Sequence, residues 1–282
     1  MSPVLVTQLV LLAVAAGGWI VGKFLHRAFV RRTSDGEHYA ATLPRMSDTI
    51  AFISGAVGIL LGLLLSFSVT NFQDAQASVK QFGTSVSAAY RTTESFAEPG
   101  RTIVRQDLYC AVDSFVTNDW TDGVQPSVEG NTQTSLWMTK LNIDINQLDP
   151  QTNTQVQAYP LLVQNTLDMS QWRQMILLTS METIPGVIWV VIYVSVFLLT
   201  VLLALHLADR RGLGRLSFGV AYVALAVIIF ALSVLDYPLH NFGTGPAVSP
   251  QSLVDMLQAD NFDLADELSV ECPQLDAATV LD

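Results

Sequence analysis

Charge is scarce in this chain and positive charge scarcer still: charged residues make up 14%, with 14 Lys and Arg against 25 Asp and Glu. The resulting net charge of −11 leaves too few bases to assemble a positive face, which excludes a general nucleic-acid binder. Cysteine is nearly absent, and the two present, Cys110 and Cys272, are not spaced as a metal site and allow at most one disulfide. The four histidines, His26, His38, His206 and His240, share no helix face, so they offer no ligand set for a metal. No serine stands in a G-x-S-x-G elbow and there is no phosphate-binding loop. No catalytic residue, cofactor or metal is therefore expected, and the chain is read as non-enzymatic.

What is abundant is apolar sequence. At 50% hydrophobic residues and a mean hydropathy of +0.40, the chain is too apolar for an ordinary soluble domain and too charged in places to lie wholly in lipid. The reading is an integral membrane protein, embedded in a lipid bilayer, with one sizeable water-facing domain. Four runs, 4–25, 50–69, 184–207 and 216–235, are the expected spans. A run of about 20 residues at 1.5 Å each crosses a hydrocarbon core of about 30 Å. The first ends in KFLHRAFVRR and not in a small-residue cleavage site, so it reads as a retained span. Acids and bases occur only near the span ends, which argues against a midplane proton relay or carboxylate ion site.

The fold class that follows is an all-α membrane protein: four transmembrane helices with a helical water-facing domain inserted between spans 2 and 3. Its parts are 1–70 with the first two spans, 71–183 as the helical domain, 184–236 with the last two spans, and 237–282 as a Pro/Gly loop, short helix and acidic tail. Lys23, Arg27, Arg31, Arg32 and Arg45 flank or fill the first connector, Arg210, Arg211 and Arg215 the last, and no Lys or Arg follows Asp236. Both short basic connectors are expected in the cytoplasm, which places the helical domain and both termini on the outer side. Pro44, with Ser47 or Asp48 as cap, is expected to launch the second helix, and Pro160 to kink or divide the last helix of the domain.

The stretch that organises the rest is 50–96, a span that continues into water without meeting a proline. Along it Gly58, Gly62, Ser66 and Thr70 recur every four residues, preceded by Gly55. Small residues at this spacing let helix backbones approach closely, and that is their commonest use. The sharper reading is that several copies gather around an axis and line a pore, narrowed by a ring of large apolar side chains such as Leu61, Leu65 or Phe72. Cys110 and Cys272 fall outside on this topology; a disulfide tying tail to domain and two reduced or buried thiols both remain open. The acidic tail is a candidate docking segment for the domain or for a protein partner.

Several stretches carry a family likeness: the second span running into NFQDAQASVKQFGTSVSAAYR, NDW at 118–120, QWRQMILLTSMETIPGVIWVV at 171–191, LDYP at 235–238 and VSP at 248–250. In their order and spacing the chain resembles the bestrophin-like family of bacterial membrane proteins, a domain of unknown function named for its likeness to bestrophin channels. The resemblance covers about 50–257. It implies a four-span protomer in a homo-oligomeric ring, a pentamer by analogy, with the second span around a central ion path in a bacterial plasma membrane. Bestrophins pass small anions and some bacterial relatives pass cations. Residues 241–244 look inserted, the tail is longer than the pattern requires, and bestrophins keep their large domain in the cytosol, opposite to the charge-derived orientation. The alternative is a non-conducting membrane interaction protein or an accessory subunit of a larger complex.

Overall fold

The computed structural model describes residues 3–32, 36–120, 131–179, 184–207, 213–236, 248 and 272–276. Among them every regular element is helical: α1 (Pro3–Arg32), α2 (Gly36–Thr93), α3 (Gly100–Ser114) followed by a π-helical turn (Phe115–Asp119), α4 (Thr132–Asn146), α5 (Asn153–Thr179), α6 (Gly186–Leu207) and α7 (Leu213–Leu235). Among the described residues three helices are long and apolar enough to cross a membrane: Leu5–Ala28, Ser47–Thr93 and Gly186–His206. The chain divides into two units, Met1–Thr70 with Glu182–Asp236 and Asn71–Met181 with Tyr237–Asp282. Below they are called the membrane unit and the polar unit.

In the membrane unit α1 packs along α6 and α7. Its interior is a small apolar cluster in which Leu11 of α1, Val57, Leu61 and Leu64 of α2, Ile192 and Val196 of α6, and Ile229 and Leu232 of α7 meet. The tightest approach is made by α1 glycines. A Cβ on Gly22 would fall 2.6 Å from Ala204 Cβ and 2.9 Å from the Val201 carbonyl oxygen, and one on Gly18 would fall 3.0 Å from Thr200 Cβ. Two glycines four residues apart thus form the groove into which α6 fits, the ordinary small-residue contact of membrane helices.

The polar unit buries a conventional core. Phe82 of α2 packs on Phe115 with ring centroids 4.7 Å apart, and Trp120 meets Phe115 edge-on at 5.6 Å. Leu108, Leu141, Leu162, Met169 and Ile176 complete the centre from α3, α4 and α5. Asn131 caps α4 by accepting a hydrogen bond from Gln133 N at 2.8 Å, which satisfies one of the unpaired amides of a helix start. At the end of α2 the Thr93 hydroxyl donates back to the Tyr90 carbonyl and the backbone tightens into i→i+3 bonds through Phe96, which stops the helix.

Helix continues through both Pro44 and Pro160. α2 begins at Gly36, so Pro44, Ser47 and Asp48 lie inside the helix and do not launch it. Proline forfeits one backbone bond without forbidding helix on either side, and here the flanking Ala and Leu residues favour it. α5 likewise runs unbroken through Pro160. Pro160 and Val156 are exposed, so the Val156 carbonyl that loses its partner faces outward and is not stranded in the core. The expected polar loop 121–131 apart from Asn131, the loop and helix at 237–257 apart from Val248, and the basic residues Arg31, Arg32, Arg45, Arg210, Arg211 and Arg215 fall outside the described residues or side chains.

Candidate functional site

The two sides of α2 between Gly55 and Thr70 differ sharply. One side carries Val57, Leu61, Leu64 and Ser68, all buried within the membrane unit. The other carries Gly55, Ile59, Gly62, Ser66 and Thr70, all exposed, because residues three or four apart share a helix face. A Cβ built on Gly55, Gly58 or Gly62 meets nothing within 4 Å. The Thr70 hydroxyl donates to the Ser66 carbonyl at 3.1 Å, so this polar group is satisfied along its own helix. The stripe of small residues is thus the unpartnered face of α2, in contrast to the Gly18 and Gly22 pair of α1, whose partner lies in the same protomer.

The large residues named from the sequence as a constriction do not share that face. Leu61 is only 2% exposed and belongs to the interior of the membrane unit. Leu65 is half-buried against the same cluster, and Phe72 packs on the core of the polar unit. The large apolar side chains that flank the glycines outward are Ile59 and Leu63, 68% and 67% exposed, and Phe67. Beside the stripe a groove of about 440 Å³ opens between Gly58, Gly62 and Leu65 of α2, Leu203 of α6 and Tyr222 of α7. The Tyr222 hydroxyl reaches the Leu11 carbonyl at 3.4 Å, so the groove walls are effectively apolar.

Two buried aspartates join stretches that are distant in sequence. Asp119, at the end of the π-helical turn, receives Arg173 Nε of α5 at 2.8 Å and the Asn131 backbone amide. Arg173 also lies 3.4 Å from Ser135 Oγ and from the Asn131 carbonyl oxygen. This pair, 11% and 1% exposed at the side chains, ties NDW to QWRQ. In the membrane unit Asp236 accepts from the Ile184 amide at 2.8 Å and from Trp189 Nε1 at 3.3 Å. It satisfies the start of α6 as an N-terminal carboxylate does and ties LDYP to IPGVIW. Sequence reading passed over both pairs, although each residue stood inside a stretch already singled out; pairing requires the tertiary fold.

Cys110 and Cys272 are joined in a disulfide, with Cα atoms 5.4 Å apart and a sequence separation of 162. A second anchor follows three residues on. Gln133 at the start of α4 donates through Nε2 to the Leu275 carbonyl and accepts from the Leu275 amide, both at 2.9 Å. Leu275 and Val248 pack on the polar core, so the described part of the tail is built into the unit. No candidate metal cluster occurs among the described residues.

A bundle of apolar helices with a helical polar unit, motif stretches paired through buried aspartates and an open small-residue face defines an all-helical membrane protein. The chain belongs to the bestrophin-like family: the model of the bestrophin-like domain matches residues 18–252. No curated protein and no solved structure matches it.

Proposed function

We propose that this protein is a homo-oligomeric, passive ion channel whose path is lined by the outward face of α2. The observation that carries the reading is the row Gly55, Gly62, Ser66 and Thr70, exposed on a helix whose opposite face is packed. Family membership supports it. In the ring, α1, α2, α6 and α7 act as four spans and α2 is the helix closest to the axis. Ile59, between Gly55 and Gly62 on the same face, then takes the place of Leu61 as the apolar ring that gates by dewetting. A pentamer is the stoichiometry favoured by likeness to bestrophins.

The polar unit and both termini face the outside of a bacterial plasma membrane. Two independent signals support this orientation: the basic short connectors, and a disulfide within the polar unit, a bond that persists in oxidising compartments. Quenching whole cells in acid, denaturing the protein and alkylating its free thiols with and without prior reduction tests it; Cys110 and Cys272 that label without reduction, as cytoplasmic thiols do, would reverse the assignment.

The conduction test is Gly62→Leu. Nothing lies within 4 Å of that position in the protomer, so the variant is expected to fold normally yet to lose ring mass and current in bilayers holding purified protein. An unchanged current would sink the assignment of this face. A second reading, a non-conducting interaction protein, is favoured by Val156, Leu161, Leu167 and Leu178 exposed on α5; a non-ring mass together with co-purification of an unrelated complex would select it.

A further inference from the structure

Where α3 meets α4, two carboxyl groups share one ammonium. Asp107 on α3 is 2% exposed, and its Oδ1 accepts from Lys140 Nζ at 2.7 Å. The same Nζ donates to Asp144 Oδ2 at 2.6 Å. Asp107 Oδ2 is buried and has no hydrogen-bond partner. With both acids ionised the cluster carries a net negative charge with Asp107 out of contact with water, and one carboxylate oxygen lacks a donor, an arrangement that costs free energy. One proton on Asp107 removes both faults: the cluster becomes neutral, and Oδ2 becomes a donor toward the Asp144 carboxyl.

The surroundings agree. Burial pushes Asp107 up most, the neighbouring Asp144 adds to it, and Lys140 opposes them, leaving the group at about 7. Asp144 is raised by burial, but hydrogen bonds from Asp107 and Lys140 outweigh this and hold it below the usual carboxylate range. Lys140 and Asp144, both on α4, are the charged groups acting on Asp107. In the turn after α2, Glu94 is engaged with Arg105 of α3; from α5, Arg173 is engaged with Asp119.

We propose that Asp107, Lys140 and Asp144 form a proton switch that sets how firmly α3 and α4 hold each other and the tail segment docked on them. Both tail anchors sit on the two helices that the cluster joins. Cys110, bonded to Cys272, lies one turn along α3 from Asp107, and Gln133 of α4 clamps Leu275. Protonated, the cluster is a neutral, hydrogen-bonded clasp. Deprotonated, two carboxylates compete for one ammonium, and the grip on Leu275 loosens. Protons reach the site past Lys140 and Asp144, whose side chains are 32% and 18% exposed.

The test uses the full-length protein in lipid nanodiscs, read by the infrared band of protonated carboxyl and by hydrogen exchange at the Leu275 amide, corrected for intrinsic pH dependence. The wild type is expected to lose a carboxyl band near neutral pH, with Leu275 exchange rising several-fold over the same interval; Asp107→Asn lacks both changes. Asp144→Asn moves the titration down and Lys140→Met moves it up, shifts that a merely structural contact would not produce. Should Asp107→Asn fail to fold, these two variants decide. A titration confined to the ordinary carboxylate range, one unmoved by either α4 variant, or a Leu275 exchange flat across it overturns the proposal.

Discussion

In the membrane unit Ile59, Leu63 and Val187 are each about two-thirds exposed or more; in the polar unit Val156, Leu161 and Leu167 of α5 are each more than half exposed. Equal exposure has different meaning in the two. Among acyl chains an exposed apolar side chain costs nothing, so helices there associate through close packing and not through burial. That is why glycines decide the contacts of the membrane unit, at Gly18 and Gly22. In water the same exposure is unfavourable by about 25 cal/mol per Å². The polar unit answers with an aromatic core, a buried ion pair and a disulfide, so the large apolar side chains it leaves exposed on α5 call for a partner in a way that Ile59, Leu63 and Val187 do not.

The comparison breaks most readily at Arg173. Arg173→Met strands Asp119 without its cation, and losing one partner of a buried pair costs about 3–5 kcal/mol. Thermal unfolding should show the polar unit melting early, while the apolar helices keep their helical signal; a change below about 1 kcal/mol would mean that the pair is redundant. Next comes the disulfide. Cys272→Ser opens a loop closed across a sequence separation of 162, and an effect of about 2–4 kcal/mol is expected, seen in the denaturation midpoint of the polar unit only.

Gly22→Leu should come third, at about 1–3 kcal/mol for forcing a side chain into a filled interface. It should separate α1 from α6 in cross-linking while leaving the polar unit's melting unchanged. Gly62→Leu, the same substitution at an open glycine, should leave the fold intact and act only on assembly, so the two glycine variants sharpen the contrast within one unit.

The smallest effect is that of pH. Asp107 holds its proton more tightly folded than unfolded, so its contribution is present below the ordinary carboxylate range and is lost as pH rises toward about 7. Asp144, held low, contributes above that range and loses its share as pH falls through its depressed value. Unfolding measured across this window should flatten on the alkaline side in Asp107→Asn.

The apolar runs of α1, α2 and α6, the polar continuation of α2 and the amphipathic faces of α3 and α4 were all legible from hydropathy and period, since these depend on neighbours within a few residues. At Pro44 the expected helix start is overridden, because proline forfeits one backbone bond without forbidding helix on either side; at Pro160 the helix is not divided. The glycine spacing on α2 is legible as a packing face, yet the glycines that meet a partner within the protomer are Gly18 and Gly22. Spacing alone does not say which stripe has its partner in the same chain.

By itself, then, the sequence determined that this is a helical membrane protein with both apolar and polar helical stretches, since lipid and water sort residues by local composition. It also carried the family, written in ordered motifs. Only the tertiary structure decided which side of α2 is open, that Leu61 points into the protomer, and that Asp119 meets Arg173 and Asp236 meets α6. It likewise decided that Asp107 lies buried beside Lys140 and Asp144. Each of these depends on which helix packs against which, a long-range choice that no local pattern encodes.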